Sequence, residues 1–306
     1  MPRSSLFSSW RQDLPASIVV FLVALPLCLG IAVASGAPPV SGIIAGVVGG
    51  ILVGAFSGSP LGVSGPAAGL TAIVAAGIAD LGSFELLLGA VVVAGIIQII
   101  LGALHAGVIA YYFPSSVIKG MLAGIGIIIM LKQIPHLVGF DRDPMGDESF
   151  DQPDKLTTFG ELWLALQAPH LGAILIAAAC IALLIVWDRT FIQRRRWLAY
   201  VPGPLLAVVC GLVLAWAFSG SPALAIGPGH YVPLPDLMDG SSYVLPSFAA
   251  LDNAAFWRVA FTIAVVASIE TLLCVEATDK LDPQKRITPA NRELFAQGAG
   301  NLISGL

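Results

Sequence analysis

ASIVVFLVALPLCLGIAVAS, Ala16–Ser35, runs for twenty residues without one ionisable side chain. A helix crosses a hydrocarbon layer of about 30 Å with about 20 apolar residues, so this block reads as a membrane span. It is too long for the apolar core of a secretory signal, and no small-residue cleavage site in polar surroundings follows it, so it is expected to be retained. Outward from it the pattern repeats. Apolar blocks occupy Val40–Phe56, Pro66–Ala79, Phe84–Leu104, Pro114–Ile134, Leu171–Trp187, Pro202–Phe218 and Phe256–Val275. A ninth helix opens near Thr288, which can cap its first amides, with Pro289 suited to the first turn. The expected fold class is therefore all-α, a polytopic membrane helical bundle of eight spans and part of a ninth over residues 1–306. The composition agrees: 57% of the 306 residues are hydrophobic and 11% charged, against roughly a quarter charged in soluble domains.

Loop charges orient the bundle. With a cytoplasmic N-terminus, the loop carrying Arg189, Arg194, Arg195 and Arg196 and the loop carrying Lys280, Lys285, Arg286 and Arg292 both face the cytoplasm. The long loop 135–170 would then be external, with Asp141, Asp143, Asp147, Glu148, Asp151, Asp154 and Glu161 against Arg142 and Lys155, and it reads as solvated. This is the positive-inside pattern, and the expected location is the inner (plasma) membrane, multi-pass, with the N-terminus cytoplasmic. It holds only if the short third block counts as one crossing.

That third block is unusual. In GSPLGVSGPAAGLTAIVAAG, residues 58–77, Pro60, Gly62, Gly65 and Pro66 precede a short apolar helix. Proline suits a first helical turn and the glycines permit irregular backbone before it. The chain would then start a helix inside the membrane near Ser64, Gly65, Pro66, Ala67, Ala68 and Gly69. Unpaired amide groups and the positive end of the helix dipole at such a tip attract anions. An ordinary kinked span is the other reading of the same residues.

Glu270 is the single ionisable residue deep in the eighth block, SIETLLCVEATDKL. A charged carboxylate facing lipid at that depth costs about 3 kcal/mol or more, so it must face a cavity, find a partner or hold a proton. Glu276, Asp279 and Asp282 fall near the block's end and read as solvated or as partners of Lys280 and Lys285. Lys119 and Lys132 sit near the ends of the fifth block, where lysines can snorkel. Gly42, Gly46, Gly50 and Gly54 recur every four residues, and Gly120 and Gly124 repeat the spacing, which suggests close helix packing.

Other chemistry is thinly represented. Cys28, Cys180, Cys210 and Cys274 lie in apolar blocks with no CxxC pair and no metal-ligand spacing, so neither a disulfide framework nor a metal site is expected. No phosphate-binding loop and no nucleophile–His–acid set occurs. The expectation is a protein that is not an enzyme, with no cofactor and no nucleic-acid partner.

Five stretches together resemble the sulfate permease (SulP) family of anion transporters: DLPASIVVFLVALPLCLGIAVASGAPPVSGIIAG, VSGPAAG, FPSSVIKGMLAGIGIIIMLKQIPHLVG, SIETLLCVEATDKLDP and ANRELFAQGAGNLISGL. The resemblance covers essentially the whole chain. It implies the first part of a UraA-like transporter of fourteen segments in two inverted repeats of seven, with a discontinuous third segment. The remaining segments and a STAS domain would lie beyond this stretch. It implies transport of a small inorganic anion, sulfate or bicarbonate, by alternating access. The anion would sit between the N-termini of the third and tenth segments, here at Ser64–Gly69 with Ala67 and Ala68 in contact, the tenth falling outside the chain. Glu270 maps to the family's ion-coupling position, with Cys274 one turn later. A thiol is a poor sodium ligand, which favours a proton over sodium as coupling ion. Leu27 after Pro26 lacks the polar side chain some members carry there. Implied partners are the anion, the coupling proton and the lipid bilayer, and a homodimer is compatible. The rival readings are a nucleobase permease of the same architecture and a non-transporting, anion-sensing membrane protein.

Overall fold

The structure, a computed structural model, describes residues 10–112, 114–140, 157–189, 201–227, 230–231, 234–236 and 243–306. Most of the charges that orient the bundle, Asp141, Arg142, Asp143, Asp147, Glu148, Asp151, Asp154 and Lys155 on one side and Arg194, Arg195 and Arg196 on the other, lie outside the described residues. Every element among those residues is helical: α1 (Trp10–Ala34), α2 (Pro39–Phe56), α3 (Ala68–Leu81), α4 (Phe84–Ala103), α5 (Ser115–Leu137), α6 (Thr158–Gln167), α7 (Leu171–Trp187), α8 (Gly203–Phe218), α9 (Ala254–Leu281) and α10 (Ala290–Ser304). A 3₁₀ stretch, Ala106–Tyr112, links α4 to α5. Each expected block is thus a helix, shifted by a few residues at its ends.

Four of them, Asp13–Ala34 within α1 and the whole of α2, α4 and α9, are long and apolar enough to cross a membrane. A fifth crossing arises if α6 and α7, bent by 110° at their junction, are one broken span. The shorter apolar helices are α3, α8 and the Gly126–Leu137 part of α5.

Two compact units make up the chain, with boundaries inside α1 at Pro26 and inside α5 at Ile128. The larger draws on Leu27–Ile128 and Leu234–Leu306. Its core is Leu87 and Phe256 set among Ala90, Ala94, Ala260 and Ala264, all buried, where α4 meets α9. Small residues let helix backbones touch, which gives van der Waals contact where lipid removes the hydrophobic incentive. The α4–α10 contact is close on both sides: a Cβ on Gly298 would lie 2.8 Å from both the Gly95 carbonyl oxygen and the Ile99 nitrogen, and one on Gly95 would lie 2.6 Å from the Leu302 nitrogen.

The glycine stripe of α2 is not one face. Gly42 packs on the Cys28 carbonyl and Gly46 on its sulfur, but a Cβ on Gly50 would meet nothing within 4 Å and one on Gly54 would just reach the Gly49 oxygen at 4.0 Å. The reason is a π-helical stretch at Gly49–Val53. Its wider turn shifts the register, so Gly49 takes the packed position, against the backbone of Ser64. Gly120 and Gly124 also meet nothing within 4 Å.

The second unit takes residues 129–140, 157–189 and 201–227, among others. Two sequence expectations change here. Lys132 does not snorkel: it is buried, and its ammonium lies 3.4 Å from the equally buried Glu161 carboxylate. Glu161 in turn belongs to α6, inside the loop read as solvated. The helix pair α6–α7 turns at His170, whose ring Nδ1 accepts from the Ala173 amide (3.2 Å) and whose own amide donates to the Val138 carbonyl (2.7 Å).

Candidate functional site

Within the larger unit the chain leaves α2 at Phe56 and stays non-helical until Ala68. Ala67 is extended (φ −102°, ψ 121°), so helix α3 starts only at Ala68 and not at Pro66. It opens with a 3₁₀ turn, Ala68–Leu70, continues as an α-helix from Thr71 to Leu81, and stops at left-handed Gly82 (φ 82°). No side chain caps its first turn. The break that the proline and glycines suggested is present, and α3 is not a kinked continuation of α2.

The lead-in to this tip is fastened to α10. The buried Glu293 carboxylate accepts from the Ser57 hydroxyl (2.5 Å) and the Gly58 amide (3.3 Å). Arg292 Nε donates to the Phe56 carbonyl (2.7 Å), and the Ser64 hydroxyl donates to Gln297 Oε1 (3.0 Å). Gly49 supplies a bare surface behind Ser64.

Glu270 sits beside the tip. A Cβ on Gly69 would lie 2.8 Å from Glu270 Oε1 and 3.3 Å from Oε2. Glu270 falls about midway along the 28 residues of α9, so the tip of α3 reaches the middle of that helix. A cavity of about 610 Å³ opens there. Ser64, Gly65, Pro66 and Ala67 line it together with Glu270 and Cys274, while Ala68 and Gly69 do not. Two carboxylates, Glu270 and Glu293, line the cavity, and no lysine or arginine among the described residues does. An anion entering it would meet neutral hydrogen-bond donors and the helix end. No group of three or more His, Cys, Asp or Glu suited to a metal occurs among the described residues.

Two polar features carry no mark in the sequence reading. Glu293, Gln297, Asn301 and Ser304 recur at three- and four-residue spacing and all line the cavity, so α10 presents a polar stripe on one face. Behind it a buried relay joins three helices: Asn301 Nδ2 donates to Gln98 Oε1 (2.6 Å), Gln98 Nε2 to the Ser268 hydroxyl (3.3 Å), and Ser268 to the Ala264 carbonyl (2.6 Å). The spacing in NRELFAQGAGNLIS was the available signal. At the end of α9 the expected pairings change in part. Thr288 does not cap α10, whose first turn has no side-chain cap. Its amide and hydroxyl bind the two oxygens of Asp279 instead (2.7 Å each). Asp282 pairs with Arg286 (2.7 Å) rather than with Lys285, and Glu276 pairs with Lys280 (3.2 Å) as expected. The Arg286 guanidinium, aided by the amides of Gln284 and Arg286, holds the Asp282 carboxyl well below the usual carboxylate range.

A helical bundle in which a short helix opens from irregular backbone onto a polar cavity has the build of a membrane carrier. The chain belongs to the sulfate permease family, whose model matches residues 10–306. It is 29% identical over 297 residues to the putative sulfate transporter YvdB of Bacillus subtilis, covering 97% of this chain and 52% of that protein. It is 28% identical over 312 residues to the bicarbonate transporter BicA of Picosynechococcus sp., covering 98% of this chain and 51% of that one. The chain therefore spans about half the length of these curated relatives. Among solved structures it is similar to the transmembrane domain of a cyanobacterial BicA, with a TM-score of 0.61 and 26% identity over 98% of this chain and 72% of that one. SLC26A9, at 18% identity and a TM-score of 0.56 over 99% of this chain and 49% of that one, shares the fold.

Proposed function

We propose that this chain carries half of the binding site of a proton-coupled carrier for an inorganic oxyanion, sulfate or bicarbonate, which works by alternating access. The anion sits at the tip of α3 against Ser64–Ala67, in a chain whose N-terminus the loop charges favour placing in the cytoplasm. Glu270 is the coupling group.

The observation that carries this reading is the Glu270 carboxylate lying against Gly69 at the helix tip, beside a cavity that no lysine or arginine among the described residues lines. Two like charges about 4 Å apart repel by about 4 kcal/mol at an effective dielectric constant near 20, which is roughly a thousandfold in affinity. An ionised Glu270 and a bound anion therefore exclude each other, and protonating Glu270 removes the conflict. Proton uptake and anion binding become linked, so the two move together. Cys274 lies one turn along α9 and lines the same cavity, and its thiol adds no hard oxygen for sodium. The names of BicA and YvdB supply the two candidate anions.

The test is uptake of radiolabelled sulfate and bicarbonate by the full-length protein in proteoliposomes, with proton or sodium gradients imposed separately. An inward proton gradient is expected to drive accumulation that a protonophore abolishes, and a sodium gradient to have no effect. Uptake driven by sodium and indifferent to protons would overturn the coupling. Bound ligand displaced by uracil and by neither anion would overturn the substrate class.

A further inference from the structure

The polar stripe on α10 is not uniform. Glu293 is engaged by Ser57 and Gly58, and Asn301 is engaged by Gln98. Gln297, between them, is half-buried and has one hydrogen bond among the described residues: its Oε1 accepts from Ser64. The nitrogen of a planar amide points away from its oxygen, so fixing Oε1 on Ser64 turns the two N–H groups of Gln297 away from the lead-in. Gln297 lines the cavity, and those donors are unspent.

A second group in the same cavity is also unspent. Thr71, at the start of the α-helical part of α3, is 8% exposed, and its hydroxyl is buried with no hydrogen-bond partner. Buried polar groups are ordinarily paired, and one left unpaired is a place where an acceptor is missing. Two neutral donors, on α10 and α3, thus border a cavity whose only charged lining groups among the described residues are carboxylates.

We propose that Gln297, aligned by Ser64, donates through Nε2 to the transported oxyanion, and that Thr71 is a second donor to it. This deepens the anion-carrier reading above and rests on it. Several dispersed neutral donors match a ligand with several acceptor oxygens better than they match a halide, so the pair also favours oxyanions over chloride. Ser64 acts as a positioning residue: it holds the amide so that nitrogen, and not oxygen, is presented.

The test is uptake kinetics of the full-length protein for whichever of sulfate or bicarbonate the wild type carries, with chloride as competitor. Gln297→Leu is expected to raise KM about tenfold or more, the worth of one hydrogen bond to a charged group, with kcat within about twofold. Gln297→Glu keeps the acceptor for Ser64 and the side-chain volume but exchanges the donors for a carboxylate. It is expected to raise KM further while leaving the elution profile in detergent unchanged, which guards against a variant that merely misfolds. Ser64→Ala and Thr71→Val are expected to give smaller rises in KM, and Gln297→Leu to weaken discrimination against chloride. KM within twofold of wild type in both Gln297 variants, or a loss confined to kcat, overturns the role of Gln297. Wild-type protein that carries neither anion overturns the underlying reading instead, and that result precedes any substitution.

Discussion

The Glu270 carboxylate fills the space that any side chain at position 69 would need, with Oε1 2.8 Å from the place of a Cβ on Gly69. Helix tip and carboxylate are in contact only because residue 69 has no side chain. Gly69→Ala is expected to push Glu270 off the tip and lower uptake on the order of tenfold, since small misplacements at a site have large kinetic effects. The obstacle is the far end of a flexible side chain, so thermal unfolding should stay close to wild type. Normal uptake in Gly69→Ala would show that this contact is dispensable.

Glu270→Gln is a permanently neutral copy of the protonated side chain. Wild-type sulfate uptake is expected to rise as external pH falls, because the protonated form admits the anion. The variant should show a flat profile and no accumulation driven by a proton gradient, while anion exchange persists. Uptake into proteoliposomes at several pH values distinguishes these outcomes, and an unchanged profile removes Glu270 from coupling.

Gly298→Ala should destabilise the larger unit, because its Cβ would press on backbone at Gly95 and Ile99 that cannot turn aside. Overpacking of this kind costs about 1–3 kcal/mol. Gly50→Ala, which faces open space, should be neutral. Thermal unfolding in one detergent compares the two, and equal effects would contradict the packing described.

The Lys132–Glu161 pair is buried on both sides, 7% and 2% exposed. Removing one member takes a partner from a buried ionisable group, which is destabilising. Glu161→Leu alone is therefore expected to unfold far more readily than Lys132→Met with Glu161→Leu together. Additive losses in the double variant would refute coupling between the two.

Asp282 provides a pH prediction of opposite kind. Its carboxyl is held below the ordinary value of 3.8 by Arg286. A lowered carboxyl stabilises the folded chain fully above that ordinary value, and the gain is lost as pH falls through the lowered one. Asp282→Asn should therefore unfold at a lower temperature than wild type by a constant margin from pH 8 to about pH 5, and the margin should close only below about pH 4. The pH profile of uptake should not change. A margin that varied between pH 8 and pH 6 would contradict this assignment.

The helices were legible because each block announces itself by length and apolarity, and Pro66 and the glycines around it marked where α3 begins. Glu270 stood out for the same reason, as one carboxylate in an apolar run. Sequence spacing could not reveal the π-helical stretch at Gly49–Val53, since a regular four-residue repeat presumes a regular helix. Nor could it place Glu161, because a charge in a polar stretch looks solvated until its lysine is known. The stripe Glu293, Gln297, Asn301 and Ser304 was readable in principle, but those residues look ordinary unless the helix that carries them is known to border a cavity.

The strap between the α3 lead-in and α10 has a consequence for biosynthesis. Ser57 and Glu293 are 236 positions apart, and Ser64 and Gln297 are 233. At about 5–20 residues per second the ribosome takes on the order of ten to fifty seconds to supply those partners. During that interval Ser57 and Ser64 lack their α10 acceptors, so these two hydrogen bonds can close only well after α3 has been made. The lead-in to α3 is therefore completed by α10, a helix synthesised long after it.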